Sequence, residues 1–402
     1  MTIPELRFKA DDGSEFPDWE GKKLGDNVKF INGRAYSQDE LLSVGKYQVL
    51  RVGNLFTNDT YYYSDMELEP DKYIEDGDLI YAWSATFGPR IYIGNKCIYH
   101  YHIWKLKFDE NIVSKTFLNY ILERDVEKIM SQRTGGTMVH ITKSAMENRE
   151  LFFPSLPEQK KIASFLSTID DIITTTEAEL TAWQERKKGV MQKIFNREVR
   201  FKADDGSEFP EWEEKRLGEV TSRVTRRNNN MISDISLTIS GVYGLIDQRK
   251  YFNKIVAASD LSNYYLLKSG EFAYNRSSSV GYDFGAIKRL DSCECGAVST
   301  LYVCFSILDE NDVCSDYLRM YFDSNIWNKY AASVCAEGAR NHGLLNISVN
   351  DFFDMPVFIP SLPEQKRIAE CLSAIDEVIT LTKKELSAWK EFKKGLLQQM
   401  FV

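Results

Sequence analysis

The sequence predicts an α/β (α+β) protein with two globular blocks joined by two long helices. The helices are expected to pair antiparallel as a coiled coil with pseudo-two-fold symmetry. Three observations carry this expectation. An eleven-residue stretch occurs twice, a 43-residue helical stretch occurs twice with 26 identities, and the segments between them share almost nothing. Self-similarity of this kind defines the architecture before any local reading.

The first repeat is RFKADDGSEFP, at Arg7–Pro17 and again at Arg200–Pro210. The second pairs Pro154–Asn196 with Pro360–Val402. The chain therefore alternates between variable and fixed parts: a block at 1–153, a spacer helix at 154–199, a second block at 200–359 and a second spacer helix at 360–402.

Each spacer opens with Ser-Leu-Pro-Glu, at Ser155–Glu158 and Ser361–Glu364. A serine followed three residues later by glutamate predicts a capping box. Proline is tolerated in the first turn, where its missing N–H would have lacked a partner anyway. Seam positions then recur at Ile162, Leu166, Ile169, Ile173, Thr176, Leu180, Trp183, Lys187, Val190 and Ile194. The second copy has Ile368, Leu372, Ile375, Ile379, Thr382, Leu386, Trp389, Lys393, Leu396 and Met400, with the same alternation of fours and threes. Such spacing over five heptads predicts a coiled coil. The other copy is the nearest partner for so long a seam, and two equivalent halves related by a two-fold axis run antiparallel. Packing of each helix on its own block, or pairing between chains, remains the alternative. Thr176, Thr382, Lys187 and Lys393 are polar seam positions, and both readings stay open for them: register-setting residues, or ordinary helix residues with no special role.

Block one contains strand-like runs at Tyr47–Val52, Asp78–Trp83 and Ile98–Trp104, then a helix-like run at Val113–Met130. Block two repeats that order with Glu271–Tyr274, Ala297–Phe305 and Asp316–Tyr330. One fold with divergent loops is expected for both. Each block closes on a Gly-rich polar loop, Arg133–Thr137 and Glu337–Gly343.

Composition excludes several classes. With 402 residues, 27% charged and 43% hydrophobic, the chain is of ordinary globular type. No apolar run reaches membrane-spanning length, and the start lacks the pattern of a signal peptide; a cytoplasmic protein with no membrane role is expected. Seven cysteines argue against a disulfide framework. His100-Tyr101-His102, read as alternating strand residues, and Cys293-Glu294-Cys295 have no second ligand pair at zinc spacing, so no metal is expected. Cys97, Cys304, Cys314, Cys335 and Cys371 read as small buried hydrophobes. No phosphate loop, dinucleotide fingerprint, methyl-donor motif or nucleophile elbow occurs, so neither catalysis nor a cofactor is expected. The net charge of -9 weighs against nonspecific binding to nucleic acid.

The S-L-P-E-Q-K-[KR]-I-A openings, the matching helices and the dissimilar blocks together resemble the specificity subunit of Type I restriction–modification systems. The resemblance spans the chain. It implies that each block is a target recognition domain reading one half of a bipartite, asymmetric double-stranded DNA target. It also implies that the helices set the half-site spacing and dock two methyltransferase subunits, with restriction subunits joining the full complex. A non-catalytic selector of DNA sequence follows.

Candidate DNA-binding residues are polar or aromatic side chains on loops, where a scaffold presents its ligand-binding groups. In block one they are Arg34, Tyr36, Arg51, Asn54, Trp83, Ser84, Thr86, Arg133 and Thr134. In block two they are Arg226, Arg227, Asn228, Asn275, Arg276, Ser277, Ser278, Arg340, Asn341 and His342. Arginine and asparagine are the types that pair with guanine and adenine edges. Two other readings stay open: a protein-binding scaffold with two α/β heads, and a modification enzyme in its own right.

Overall fold

The computed structural model describes residues 4–56, 58–84, 87–131, 141–241, 243–251, 260–279, 281–335, 345 and 347–401. Two compact units emerge, Met1–Glu177 with Lys384–Val402, and Ala178–Lys383. Each holds one head, the adjoining half of its own long helix and the far half of the other repeat's helix.

In the first unit, strand Glu20–Lys23 pairs antiparallel with Glu150–Phe153, closing the head where the long helix begins. A four-stranded sheet runs in the order Lys29–Asn32, Ile103–Lys107, Leu79–Ala82, Gly88–Ile91, and a second runs Tyr62–Ser64, Tyr47–Leu50, Cys97–Tyr99, Tyr73–Ile74. Helix Lys115–Ser131 covers the first sheet. Phe30, Tyr81, Trp104 and Phe117 are fully buried between them.

The second unit repeats this plan. Glu213–Arg216 pairs with Pro356–Ile359. The main sheet runs Thr221–Val224, Val303–Ile307, Phe272–Asn275, Ala286–Arg289. Strands Leu237–Ser240 and Gly244–Asp247, and strands Tyr265–Lys268 and Cys295–Val298, form two antiparallel pairs. A parallel bridge from Ser236 to Ala297 joins those pairs, where the first head has a full parallel pairing of Tyr47–Leu50 with Cys97–Tyr99. The heads share one topology despite their dissimilar sequences.

Three expected elements are broken in two. Ile98–Trp104 is not one strand: a turn at Tyr101–His102 separates two strands, with the Ile103 N–H donating to the His100 carbonyl at 3.0 Å. Ala297–Phe305 is likewise interrupted by a turn in which the Tyr302 N–H donates to Ser299. In both places an apolar, aromatic run hides a reversal that lacks glycine or proline. Asp316–Tyr330 splits into helices Ser315–Asp323 and Asn328–Val334, with Asn325 between them at φ 59°, a left-handed conformation that asparagine tolerates.

The long helices span Leu156–Phe195 and Leu362–Met400. Their openings differ from expectation. The Ser155 and Ser361 hydroxyls make no hydrogen bond, and the glutamates do not turn back to the cap. Instead, wholly buried Glu158 accepts two bonds from the Arg7 guanidinium, Nε–Oε1 3.1 Å and Nη2–Oε2 2.8 Å. Arg200 grips Glu364 in the same way, at 3.2 and 2.9 Å. Each arginine also donates to a backbone carbonyl at the end of its own repeat, Pro17 at 2.8 Å and Pro210 at 2.6 Å. The neighbouring glutamines complete the joint. Gln159 accepts from the Ser114 N–H and donates to the Ile112 and Pro154 carbonyls, and Gln365 repeats this with Cys314, Asp312 and Pro360. The two sequence repeats are thus the two sides of one clamp.

The helices run antiparallel. In the first unit, Ile162, Leu166, Ile169 and Ile173 share a core with Leu396, Leu397, Met400 and Phe401, and Leu386 and Trp389 pack against it. In the second, Met191, Ile194 and Phe195 share a core with Ile368 and Leu372, with Ile375 at its edge. Each head is completed by the end of the other repeat's helix. The Phe401 ring lies 5.5 Å from Phe117 and 6.3 Å from Trp19, and the Phe195 ring lies 5.8 Å from Tyr317 and 5.6 Å from Tyr321. Ile379 is buried, whereas Leu180 and Trp183 are only half-buried.

Arg7→Ala or Arg200→Ala leaves a buried carboxylate unpaired and is expected to cost about 3–5 kcal/mol. Phe401→Ala is expected to cost about 3–5 kcal/mol through the cavity it opens. Denaturant unfolding of the purified chain checks both, with Arg51→Ala as a surface control.

Candidate nucleic-acid interface

In the first head, Arg51 follows strand Tyr47–Leu50 and is exposed. Its guanidinium lies 5.3 Å over the Tyr62 ring. The Leu50 carbonyl accepts from His100, which brings the Tyr101–His102 turn alongside. There Trp83, projecting from the end of strand Leu79–Ala82, stacks on Trp104 at 5.7 Å, meets His102 edge-on at 4.9 Å and donates from Nε1 to the Tyr101 carbonyl at 2.9 Å. Tyr101 lies 4.4 Å from the His100 ring and 3.9 Å from the His102 ring. Burial, then His102 and Arg51, push the His100 imidazole down to about 4; it is neutral at physiological pH. The result is an aromatic ledge flanked by one arginine, suited to base or sugar faces and a phosphate. The sequence reading named Arg51 and Trp83 but missed His100, Tyr101 and His102, because it placed them along a strand.

Other candidates in this head have structural work. Arg34 donates to Glu40 Oε1 at 2.6 Å and lies over the Tyr36 ring. Tyr36 is half-buried, and its hydroxyl is enclosed without a hydrogen-bond partner. Asn54 accepts from the Arg51 N–H and donates to the Asn58 and Thr60 carbonyls, so its amide holds the loop rather than facing outward. Ser84 is buried. Thr86, Arg133 and Thr134 lie outside the described residues.

In the second head, Asn275 ends strand Phe272–Asn275 and Arg276, Ser277 and Ser278 follow it; this strand is the counterpart of Leu79–Ala82, which Trp83 follows. Arg276 donates to the Ile347 and Leu301 carbonyls at 3.1 and 3.3 Å. The Asn275 side chain accepts from the Ser277 N–H, and Ser278 is exposed. Gly285, at φ +78°, lets the next strand pass this loop, since a Cβ there would overlap the Asn275 carbonyl. Exposed Arg227 lies 5.0 Å over the Tyr265 ring and donates to the Asn263 carbonyl. Two candidates here are engaged within the protein. Arg226 is held by both Glu271 oxygens at 2.6 and 2.8 Å. Asn228 is wholly buried, bonded to Ser233 and to the Leu261 carbonyl, and cannot reach a base. Of this basic, asparagine-rich stretch only Asn228 folds inward, while Arg227, Asn229 and Asn230 stay exposed. Arg340, Asn341 and His342 lie outside the described residues.

All seven cysteines are free. Burial raises the Cys97 and Cys304 thiols to about 11 and about 12, which leaves them unreactive; Cys314, Cys335 and Cys371 are half-buried rather than enclosed. Among the described residues no cluster of three or more metal-binding side chains occurs, and no helix is long and apolar enough to cross a membrane.

Two equivalent heads with unlike loop chemistry, each clamped to a repeated helix, make a two-domain protein of repeated architecture. The profile of the type I restriction modification DNA specificity domain matches residues 17–182 and 210–389, and the chain belongs to that family, whose members are the DNA-recognition rather than the catalytic components of their systems. It is 28% identical over 417 residues to the Type I restriction enzyme MjaVIII specificity subunit of Methanocaldococcus jannaschii, covering 98% of this chain and 94% of that one. The fold is shared with the crystallised type I S subunit from M. genitalium, at TM-score 0.58 and 15% identity over 100% of this chain and 99% of that one. A chain from a structure of type I R-M complex assembly and conformational transition matches at TM-score 0.55 and 14% identity, over 96% and 97%.

Arg51→Ala is expected to weaken specific DNA binding by about 1–3 kcal/mol without lowering the melting temperature. Asn228→Ala is expected to do the reverse, destabilising the second head by about 1–3 kcal/mol while the methylated sequence stays the same. Binding isotherms, thermal melts and methylome sequencing separate the two. Arg34 and the Ser37 N–H hold the Glu40 carboxyl down at about 2. With an unfolded value of about 4.3, the stabilisation from this pair is present above that pH and disappears as pH falls through about 2. An NMR titration of Glu40 is expected to show that low midpoint in the wild type and a return to the ordinary carboxylate range in Arg34→Ala.

Proposed function

We propose that this chain selects a bipartite, asymmetric double-stranded DNA target. Each head reads one half, and the paired helices set the gap and dock two methyltransferase subunits, joined by restriction subunits in the full complex. It acts in the cytoplasm, where that DNA is. The observation that carries this reading is the contrast between the heads: one topology, but an aromatic ledge with Arg51 in the first and, in the second, a polar Asn275–Ser278 loop and an exposed Arg227. Identical architecture with different reading chemistry fits two different half-sites.

The helices suit the role of a spacer because each is continuous for about 40 residues, or about 60 Å at ~1.5 Å per residue. The acidic balance of the chain limits phosphate neutralisation, so basic methyltransferase partners supply part of the electrostatic attraction.

Methylome sequencing of cells expressing this chain with its methyltransferase tests the reading. The expected result is one split motif with two unlike halves; unsplit motifs, or none, refute it. Inserting one heptad into both helices is expected to widen the gap by about three base pairs, since seven residues add ~10.5 Å against ~3.4 Å per base pair. The isolated chain is expected to bind random DNA only weakly at physiological salt; tight binding there would refute the division of charge between subunits.

A further inference from the structure

We infer that two ion pairs between the long helices, Lys187–Asp376 and Lys393–Asp170, lock the register of the helix pair and so determine the gap between half-sites. The inference rests on the proposed role of the helices as the spacer. Lys187 and Lys393 are equivalent residues of the two repeats, as are Asp170 and Asp376. Each lysine reaches the aspartate of the other helix, Nζ–Oδ1 2.7 Å for Lys187–Asp376 and 2.9 Å for Lys393–Asp170. The residue numbers of the two pairs add to the same total, so both report a single antiparallel register.

Both lysines stand at seam positions, where the pattern otherwise calls for apolar residues. A polar group in a seam lowers stability but specifies alignment. These pairs are also drier than ordinary surface pairs, with the two lysine side chains 18% and 16% exposed. Lys393 is further engaged by Glu123 at 3.1 and 3.2 Å, and the Tyr120 hydroxyl donates to Asp170 at 2.6 Å. The other polar seam residues carry no such information. Thr176 and Thr382 donate to the carbonyls of Ile172 and Val378 on their own helices, bonds that persist in any alignment.

The apolar seam repeats every seven residues, so by itself it tolerates a slip of one heptad, about 10.5 Å. The lysines do not. A slip in one direction sets Lys187 against Ala369 and Lys393 against Ala163. A slip in the other gives Lys393 a new partner in Glu177 but brings Lys187 onto Lys383. Each misalignment therefore loses both pairs, or exchanges one for a repulsion.

The test compares the wild-type chain, Lys187→Asp, and the swap carrying Lys187→Asp with Asp376→Lys. Two readouts are taken. In the purified full chain without DNA, amide hydrogen exchange along both helices is expected to accelerate about tenfold in Lys187→Asp and to return to wild-type rates in the swap, a change equivalent to ~1.4 kcal/mol. In cells with the methyltransferase, methylation at targets whose gap differs by about three base pairs, the span of a one-heptad slip at ~10.5 Å against ~3.4 Å per base pair, is expected to rise about tenfold in Lys187→Asp and to fall back in the swap. Unchanged exchange in Lys187→Asp overturns the lock whatever the chain does with DNA. Accelerated exchange with a single unbroadened gap overturns its role in spacing, as does failure of the swap to restore either readout. A wild-type chain that methylates no split target overturns the underlying functional reading, while the exchange result still decides whether the pairs lock the helices.

Discussion

The joint between each head and its helix depends on a buried arginine–glutamate pair. Arg7 with Glu158, and Arg200 with Glu364, join segments 151 and 164 residues apart in the chain across the base of a head. A fully buried carboxylate without a partner is strongly destabilising, so the pair forms in full or the head is not seated. Because the guanidinium also binds the Pro17 or Pro210 carbonyl, the same contact fixes the extended repeat against the helix start. Loops above this joint are free to vary, since nothing in the clamp involves them. Two heads of one topology can therefore carry unlike loops on the same mounting.

Much of the architecture was legible in the sequence. The helix repeat shows in its spacing because a long seam leaves a periodic trace. Its antiparallel pairing follows from symmetry, and the structure shows it in Lys187 with Asp376 and Lys393 with Asp170. The function of the RFKADDGSEFP repeat was not legible. Its arginine finds its partner only in three dimensions, and the Ser-x-x-Glu pattern pointed to a local cap instead. Local patterns fail where a distant group competes for the same side chain, as Arg7 does for Glu158.

The candidate reading surface was legible only in outline. Arg51, Trp83 and Arg276 each stand just after a strand end. Residue type alone did not separate outward-facing groups from inward-facing ones. Asn54 and Asn228 have the chemistry of base readers, but they use it to hold their own loops together. The aromatic ledge of His100, Tyr101 and His102 was hidden by a turn without glycine or proline, which reads as strand by composition.

The swapped ends of the helices bear on how the protein is made. The second head finds Phe195 already synthesised when its strands emerge. The first head has to wait for Phe401, and the segment from residue 178 to 383 must be translated in between. At ~5–20 residues per second that delay is on the order of 10–40 s. Throughout it, the slot formed by Trp19 and Phe117 lacks its last ring. The ribosome thus imposes an order on two halves that the finished symmetry makes look interchangeable: the half made first is the half that matures last.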